Sequence, residues 1–221
     1  MLGKHFTKLV AFSLSISLLF VCIPTAFAAE PNYEVTPGYT IETYYENDVL
    51  VTEETWILTP EEAIQELAVR KGWTLQESSA YILSCNTINP LSNTSTYTTK
   101  KTKTYTYGFC EVEIGGLFQF TTDGMYTQVD KCLDYWTAAT GSGPYTWDEI
   151  SVVDVNQDKY PWIQIHLMGR GNIEVEIDTS VSPELTAQFV TLGFNISVEI
   201  GTVVYLRKTV DLELMQNLFT A

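Results

Sequence analysis

Histidine is nearly absent from this chain: His5 and His166 are the two in 221 residues. The four cysteines, Cys22, Cys85, Cys110 and Cys132, never occur in Cys-x-x-Cys spacing. Together these scarcities disfavour a zinc site and rule out a dense disulfide scaffold. Basic residues are few, 12 against 27 acidic, for a formal net charge of −15. Such a balance repels nucleic acid and anionic membrane surfaces, so neither is expected as a partner. A Gly-x-Ser-x-Gly nucleophile elbow is missing as well.

Long apolar runs are confined to the N-terminus. Lys4 and Lys8 precede a largely apolar stretch from Leu9 to Ile23, and Ala26-Phe27-Ala28 fits a small-x-small cleavage site. Residues 1–28 are therefore expected to be an export signal cleaved near Ala28-Ala29, giving a secreted protein. Val21 before Cys22 argues against a lipid-attachment site. Later stretches fall short of the roughly 18 apolar residues of a membrane helix, so no transmembrane span is expected in the mature chain. Removing 28 of 221 residues leaves 193, and the charge becomes 10 basic against 27 acidic. That length suffices for one domain with an ordinary core.

What the chain does contain is β-forming sequence. Residues 29–58 hold two strand-like runs, from Tyr39 to Tyr45 and from Val49 to Leu58, joined by Glu46-Asn47-Asp48. The segment 59–85 reads as a helical hairpin. Thr59 is an N-cap with Pro60 in the first helical position, Gly72 ends the first helix, and Thr74 with Glu77 forms a second capping box. Residues 86–94 read as a linker. From 95 to 221 the pattern is that of an antiparallel β-sandwich, or a partly open barrel, of seven or eight strands. The fold class is thus α+β, mainly β.

Within that domain Lys100, Lys101 and Lys103 suit an exposed edge strand. Residues 110–133 read as a hairpin about a two-residue Asp123-Gly124 turn, which puts Phe118 opposite Val129 and Ile114 opposite Leu133. Cys110 and Cys132 are then five residues out of step, and no direct bond between them is expected. Residues 163–167 and 173–177 alternate apolar and polar, which predicts two strands joined either by a three-residue loop at Arg170-Gly171-Asn172 or by a five-residue loop.

Candidate chemistry is sparse. The two-strand reading sets His166 on the polar face opposite Glu176 or Glu174, as a surface ion pair or the acid–base pair of a hydrolase. Two carboxylates also share a strand face in Glu111/Glu113 and in Glu174/Glu176, at the separation glycosidases use. Asp154, Asn156 and Asp158 have the D-x-N-x-D spacing of calcium loops, although Lys159 replaces the glycine and Ile165 the bidentate acid. The same residues also suit a turn between strands. Calcium is the one cofactor the spacing suggests. The aromatics Tyr135, Trp136, Tyr145, Trp147, Tyr160 and Trp162 surround the small-residue loop Gly141-Ser142-Gly143-Pro144. They serve either as core or as a platform for a glycan or protein partner.

The reading that follows is a secreted or envelope-associated, non-enzymatic binding protein. A hydrolase using acidic residues with His166, and an assembly subunit, are the alternatives. Expressed from the full-length gene, the chain found outside the cell should begin at Ala29. Leu18→Arg in the apolar run should hold it inside, and N-terminal sequencing and fractionation check both.

Overall fold

A computed structural model describes residues 38–85, 94–180 and 182–218. The expected export signal and residues 86–93 of the expected linker lie outside the described residues. Those described form nine strands and three helices. Strands β1 (Gly38–Glu46) and β2 (Val49–Leu58) make a hairpin, closed by Asn47 and Asp48, which both take positive φ. That is the two-residue primed turn whose twist matches its strands.

Helices α1 (Pro60–Lys71) and α2 (Leu75–Cys85) follow. The Thr59 hydroxyl accepts from Glu62 N–H while the Glu62 carboxylate accepts from Thr59 N–H, and Thr74 and Glu77 repeat the arrangement. Each pair satisfies two amides that a helix start leaves open. Gly72 ends α1 at φ 65°.

The remaining strands are β3 (Ser95–Tyr107), β4 (Cys110–Thr122), β5 (Thr127–Ala139), β6 (Tyr145–Asp154), β7 (Gln164–Asp178), β8 (Asn195–Ile200) and β9 (Val203–Asn217), with α3 (Pro183–Thr191) between β7 and β8. Two antiparallel sheets result, ordered β1-β2-β3-β4-β5 and β6-β7-β9-β8. They face each other across one core that includes Val51, Tyr105, Val112, Ile114, Phe118, Ile165, Leu167, Ile173, Leu206 and Leu212. Neither sheet closes into a barrel. The outer face of the first sheet carries α1 and α2, where Leu67 and Cys85 pack on Leu117 and Leu133. Helix α3 stops one end of the sandwich through Phe189, fully buried against Phe109 and Phe194.

Three expectations need correction. Strand β3 is not an edge: it is the middle strand of five, and Lys101 and Lys103 are more than 90 % buried. Their charge is tolerated because partners reach them, Glu46 and Glu53 at Lys103 and Gln216 of the opposite sheet at Lys101. Second, residues 164–178 form a single strand with no turn at 170–172. Gly169 and Gly171 are there for close approach. A Cβ on Gly169 would meet the Thr137 methyl at 2.7 Å, and one on Gly171 the Trp147 ring at 2.5 Å. Third, the central hairpin turns over four residues, not two. The Asp123 carboxylate accepts from Met125 and Tyr126 N–H, and Thr122 pairs with Thr127.

Two bulges in β5 then shift the register, so Phe118 faces Cys132 and Ile114 faces Thr137. Cys110 stands opposite Tyr107 and Cys132 opposite Phe118. That is roughly 26 Å of strand between them, and Cys85, Cys110 and Cys132 are all free thiols.

Gly171→Ala should destabilise the protein by about 1–3 kcal/mol, because both the Trp147 ring and the Asp148 carbonyl, 2.7 Å from the new methyl, obstruct it. Urea unfolding followed by tryptophan fluorescence checks this.

Candidate functional site

The six aromatics of 135–162 do not share a surface. Tyr135, Tyr145, Trp147 and Tyr160 are partly buried against the main core, whereas Trp136 packs on the opposite face of its sheet, beneath the helices. The Arg70 guanidinium lies 3.1 Å from the centroid of the Trp136 ring, and its indole N–H donates to Glu113 at 2.7 Å. The Tyr145 hydroxyl donates to the Glu111 carbonyl and accepts from Glu111 and Gly141 N–H, tying the loop after β5 to β4. Trp147 donates to Thr137. Trp162 alone is substantially exposed, at 40 %, and its backbone exchanges two hydrogen bonds with Val129.

His166 does sit on the outer face of its sheet beside a carboxylate, but that carboxylate is Glu213. Because β7 runs straight, Glu174 and Glu176 lie farther along the same strand and cannot face His166. Strand β9 is its neighbour instead, and His166 Nε2 is 2.9 Å from Glu213 Oε1. Glu174 pairs with Arg207 at 3.2 Å. It lines an open groove together with Glu176, Tyr145, Pro144, Thr146 and Tyr205. Glu111 and Glu113 share the helix-side face of β4, and Glu113 is committed to Trp136.

The Asp154–Asp158 loop connects β6 to β7. Asp154 is buried, and its Oδ1 accepts from Asn156 N–H at 3.0 Å and from the Tyr160 hydroxyl at 3.2 Å. Its Oδ2 is buried without a hydrogen-bond partner. Asn156 donates to the Gln164 carbonyl, and its side-chain oxygen takes the Lys159 ammonium at 3.2 Å. A cation already occupies the oxygen that calcium would need, and Asp158 is exposed to solvent. These residues do not fit a calcium loop. No group of three or more His, Cys, Asp or Glu side chains placed to hold a metal ion occurs among the described residues. Burial raises the Asp154 carboxyl above its ordinary 3.8, and burial with the negative charges of Asp154 and Asp134 holds the Cys132 thiol well above 9.0.

The surface that the sequence reading left aside is the β1–β2 hairpin. All nine residues of β1 are exposed although four are Tyr or Ile: Tyr39 at 51 %, Ile41 at 53 %, Tyr44 at 37 % and Tyr45 at 75 %. Tyr39, Ile41, Thr43 and Tyr45 share the face that looks toward α1. There the Tyr39 ring is 5.2 Å from Trp56 at a 32° tilt, and the Lys100 ammonium lies 5.2 Å from the Trp56 ring. A shallow groove beside it is formed by Trp56, Leu58, Glu62, Gln65, Val69 and Lys100. The period-two alternation of 38–46 was the available signal. It gave no reason to expect that neither face would be covered.

Comparison with known proteins finds no matching family, no matching curated relative and no matching solved structure. No helix among the described residues is long and apolar enough to cross a membrane, which says nothing of spanning by strands.

The Asp154 shift has a definite sign. A carboxyl whose folded pKa is raised favours the folded state while protonated, and that contribution is lost as pH rises from 3.8 through the folded value. Asp154→Asn cannot ionise, so between pH 4 and 7 it should lose less stability than the wild type. Denaturant midpoints measured at successive pH values check this.

Proposed function

We propose that this chain is an exported, non-enzymatic binding protein whose β1–β2 hairpin is the surface that engages a macromolecular partner. One observation carries the reading: β1 is a nine-residue strand of high apolar and aromatic content in which every residue is exposed. Exposed contiguous apolar surface of this kind costs solubility and marks interaction sites in soluble proteins. Tyrosine and tryptophan are also the side chains that interfaces and glycan platforms favour, being large, rigid and amphipathic. The N-terminal export signature supports the location outside the cell.

The enzymatic alternative has less beneath it. His166 is held by Glu213, Glu174 by Arg207 and Glu113 by Trp136, each arrangement complete without a substrate. A partner at the hairpin also relocates the binding surface from 135–162, whose rings are largely engaged inside the protein.

Immobilised protein should retain material from envelope fractions or polysaccharides of the producing cells. The double variant Tyr39→Ala/Tyr45→Ala should lower that retention by at least about fivefold, with an unchanged circular dichroism spectrum, since each change removes roughly 1–2 kcal/mol of interface contact. Retention that survives the double variant but falls with Trp162→Ala would place the surface elsewhere.

A further inference from the structure

The edges of the two sheets are not treated alike. Strand β5 carries two bulges, and its end is engaged by β6, where Thr137 bonds to both Glu149 and Trp147. Strand β6 carries one bulge against β7. Strand β8 is only six residues long and is bulged as well. Shortness, bulges and covered ends are the usual devices that stop a sheet edge from recruiting another strand. Among the described residues, strand β1 has none of them. Its pairing with β2 runs without a register shift from Gly38↔Ile57 to Glu46↔Val49, and it contains no proline, lysine or arginine.

Backbone phase shows what that edge offers. A two-residue turn closes on a pair that exchanges both hydrogen bonds, here Glu46 and Val49. Residues 46, 44, 42 and 40 therefore bond to β2, and Tyr45, Thr43, Ile41 and Tyr39 direct their N–H and C=O groups outward. Side chains set the chemistry. Glu42 and Glu46 stand on one face of β1 and Tyr39, Ile41 and Tyr45 on the other. The hairpin from 38 to 58 has five acidic residues, Glu42, Glu46, Asp48, Glu53 and Glu54, and no basic one. Lys103 from β3 reaches Glu46 and Glu53. Among the described residues, no basic side chain lies within ion-pair distance of Glu42, Asp48 or Glu54.

We propose that β1 accepts an extended segment of a partner protein as a sixth strand of its sheet, and that this segment alternates basic with apolar residues. The basic side chains meet the face that carries the unpaired Glu42, and the apolar ones meet Tyr39, Ile41 and Tyr45 on the opposite face. A second copy of this chain fits the same backbone but would bring ten acidic residues together at the junction of two hairpins. The inference rests on the reading of the hairpin as the binding surface and adds to it the mode of binding and the partner's chemistry.

The test uses a fluorescent, end-blocked nonapeptide of alternating valine and lysine, with two controls. In one control glutamate replaces lysine, and in the other alternate amides are N-methylated so that the peptide's edge cannot pair. Fluorescence anisotropy should show the lysine peptide binding at least about tenfold more tightly than either control. Thr43→Pro removes an outward N–H without breaking a backbone bond to β2, and should weaken binding at least about tenfold, while Thr43→Ala, which loses the same hydroxyl contact with Thr52, changes it less than about twofold.

Equal binding of the N-methylated peptide, or undiminished binding by Thr43→Pro, overturns strand addition. Equal binding of the glutamate peptide overturns the basic partner. A dimer in sedimentation velocity that Thr43→Pro dissociates assigns the edge to a second copy and overturns the proposal too. Should the N-methylated control void strand addition while Tyr39→Ala/Tyr45→Ala still abolishes envelope retention, the hairpin surface stands and only its mode is refuted.

Discussion

Three lysines on the middle strand of the larger sheet constrain everything around them. Lys101 and Lys103 point into the sandwich and Lys100 points toward the helices, and each must find compensation from a different element. Lys103 reaches Glu46 and Glu53 of the hairpin, Lys101 reaches Gln216 of β9, and Lys100 reaches Glu66 of α1 at 2.9 Å while lying over Trp56. A buried charge is tolerable only when paired, and removing one partner of such a pair typically costs about 3–5 kcal/mol. Hairpin, helix and second sheet are thereby each tied to β3 by a polar contact, in addition to the apolar core. Burial lowers the pKa of Lys101, whereas the Glu46 carboxylate and neighbouring tyrosines outweigh burial at Lys103 and raise it.

That constraint also accounts for the hairpin's composition. Carboxylates on β1 and β2 neutralise Lys103 on the inward face of the sheet, so the hairpin is acidic where it meets that lysine. The acids beyond reach of Lys103 then remain at the sheet edge beside exposed tyrosines. Structural demand on one side of the hairpin and an open, unbulged edge on the other produce the surface on which the functional proposal rests.

Sequence legibility followed the range of the interactions involved. Both capping boxes were readable because Thr59 with Glu62 and Thr74 with Glu77 interact across three residues and need nothing else. The β1–β2 turn was readable for the same reason. The lysines of β3 were read as edge markers because their partners lie up to 115 residues away. Gly171 looked like part of a turn because the indole that occupies its missing side-chain space comes from β6. His166 was placed beside a carboxylate, the right kind of neighbour, but a strand wrongly folded back on itself supplied the wrong one. The aromatics of 135–162 looked like a cluster along the chain, yet Tyr135 and Trp136, adjacent in sequence, belong to opposite faces of one sheet.

By itself the amino-acid sequence determined a mainly β chain with a capped helical hairpin, since alternation, turn residues and helix caps act over a few residues. Only the tertiary structure decided which strand is central, which glycines admit a ring, and which partner holds each buried charge. It also decided that β1 would be the long edge left open. An edge is defined by what fails to pair with it, and no local pattern in Gly38–Glu46 carries that information.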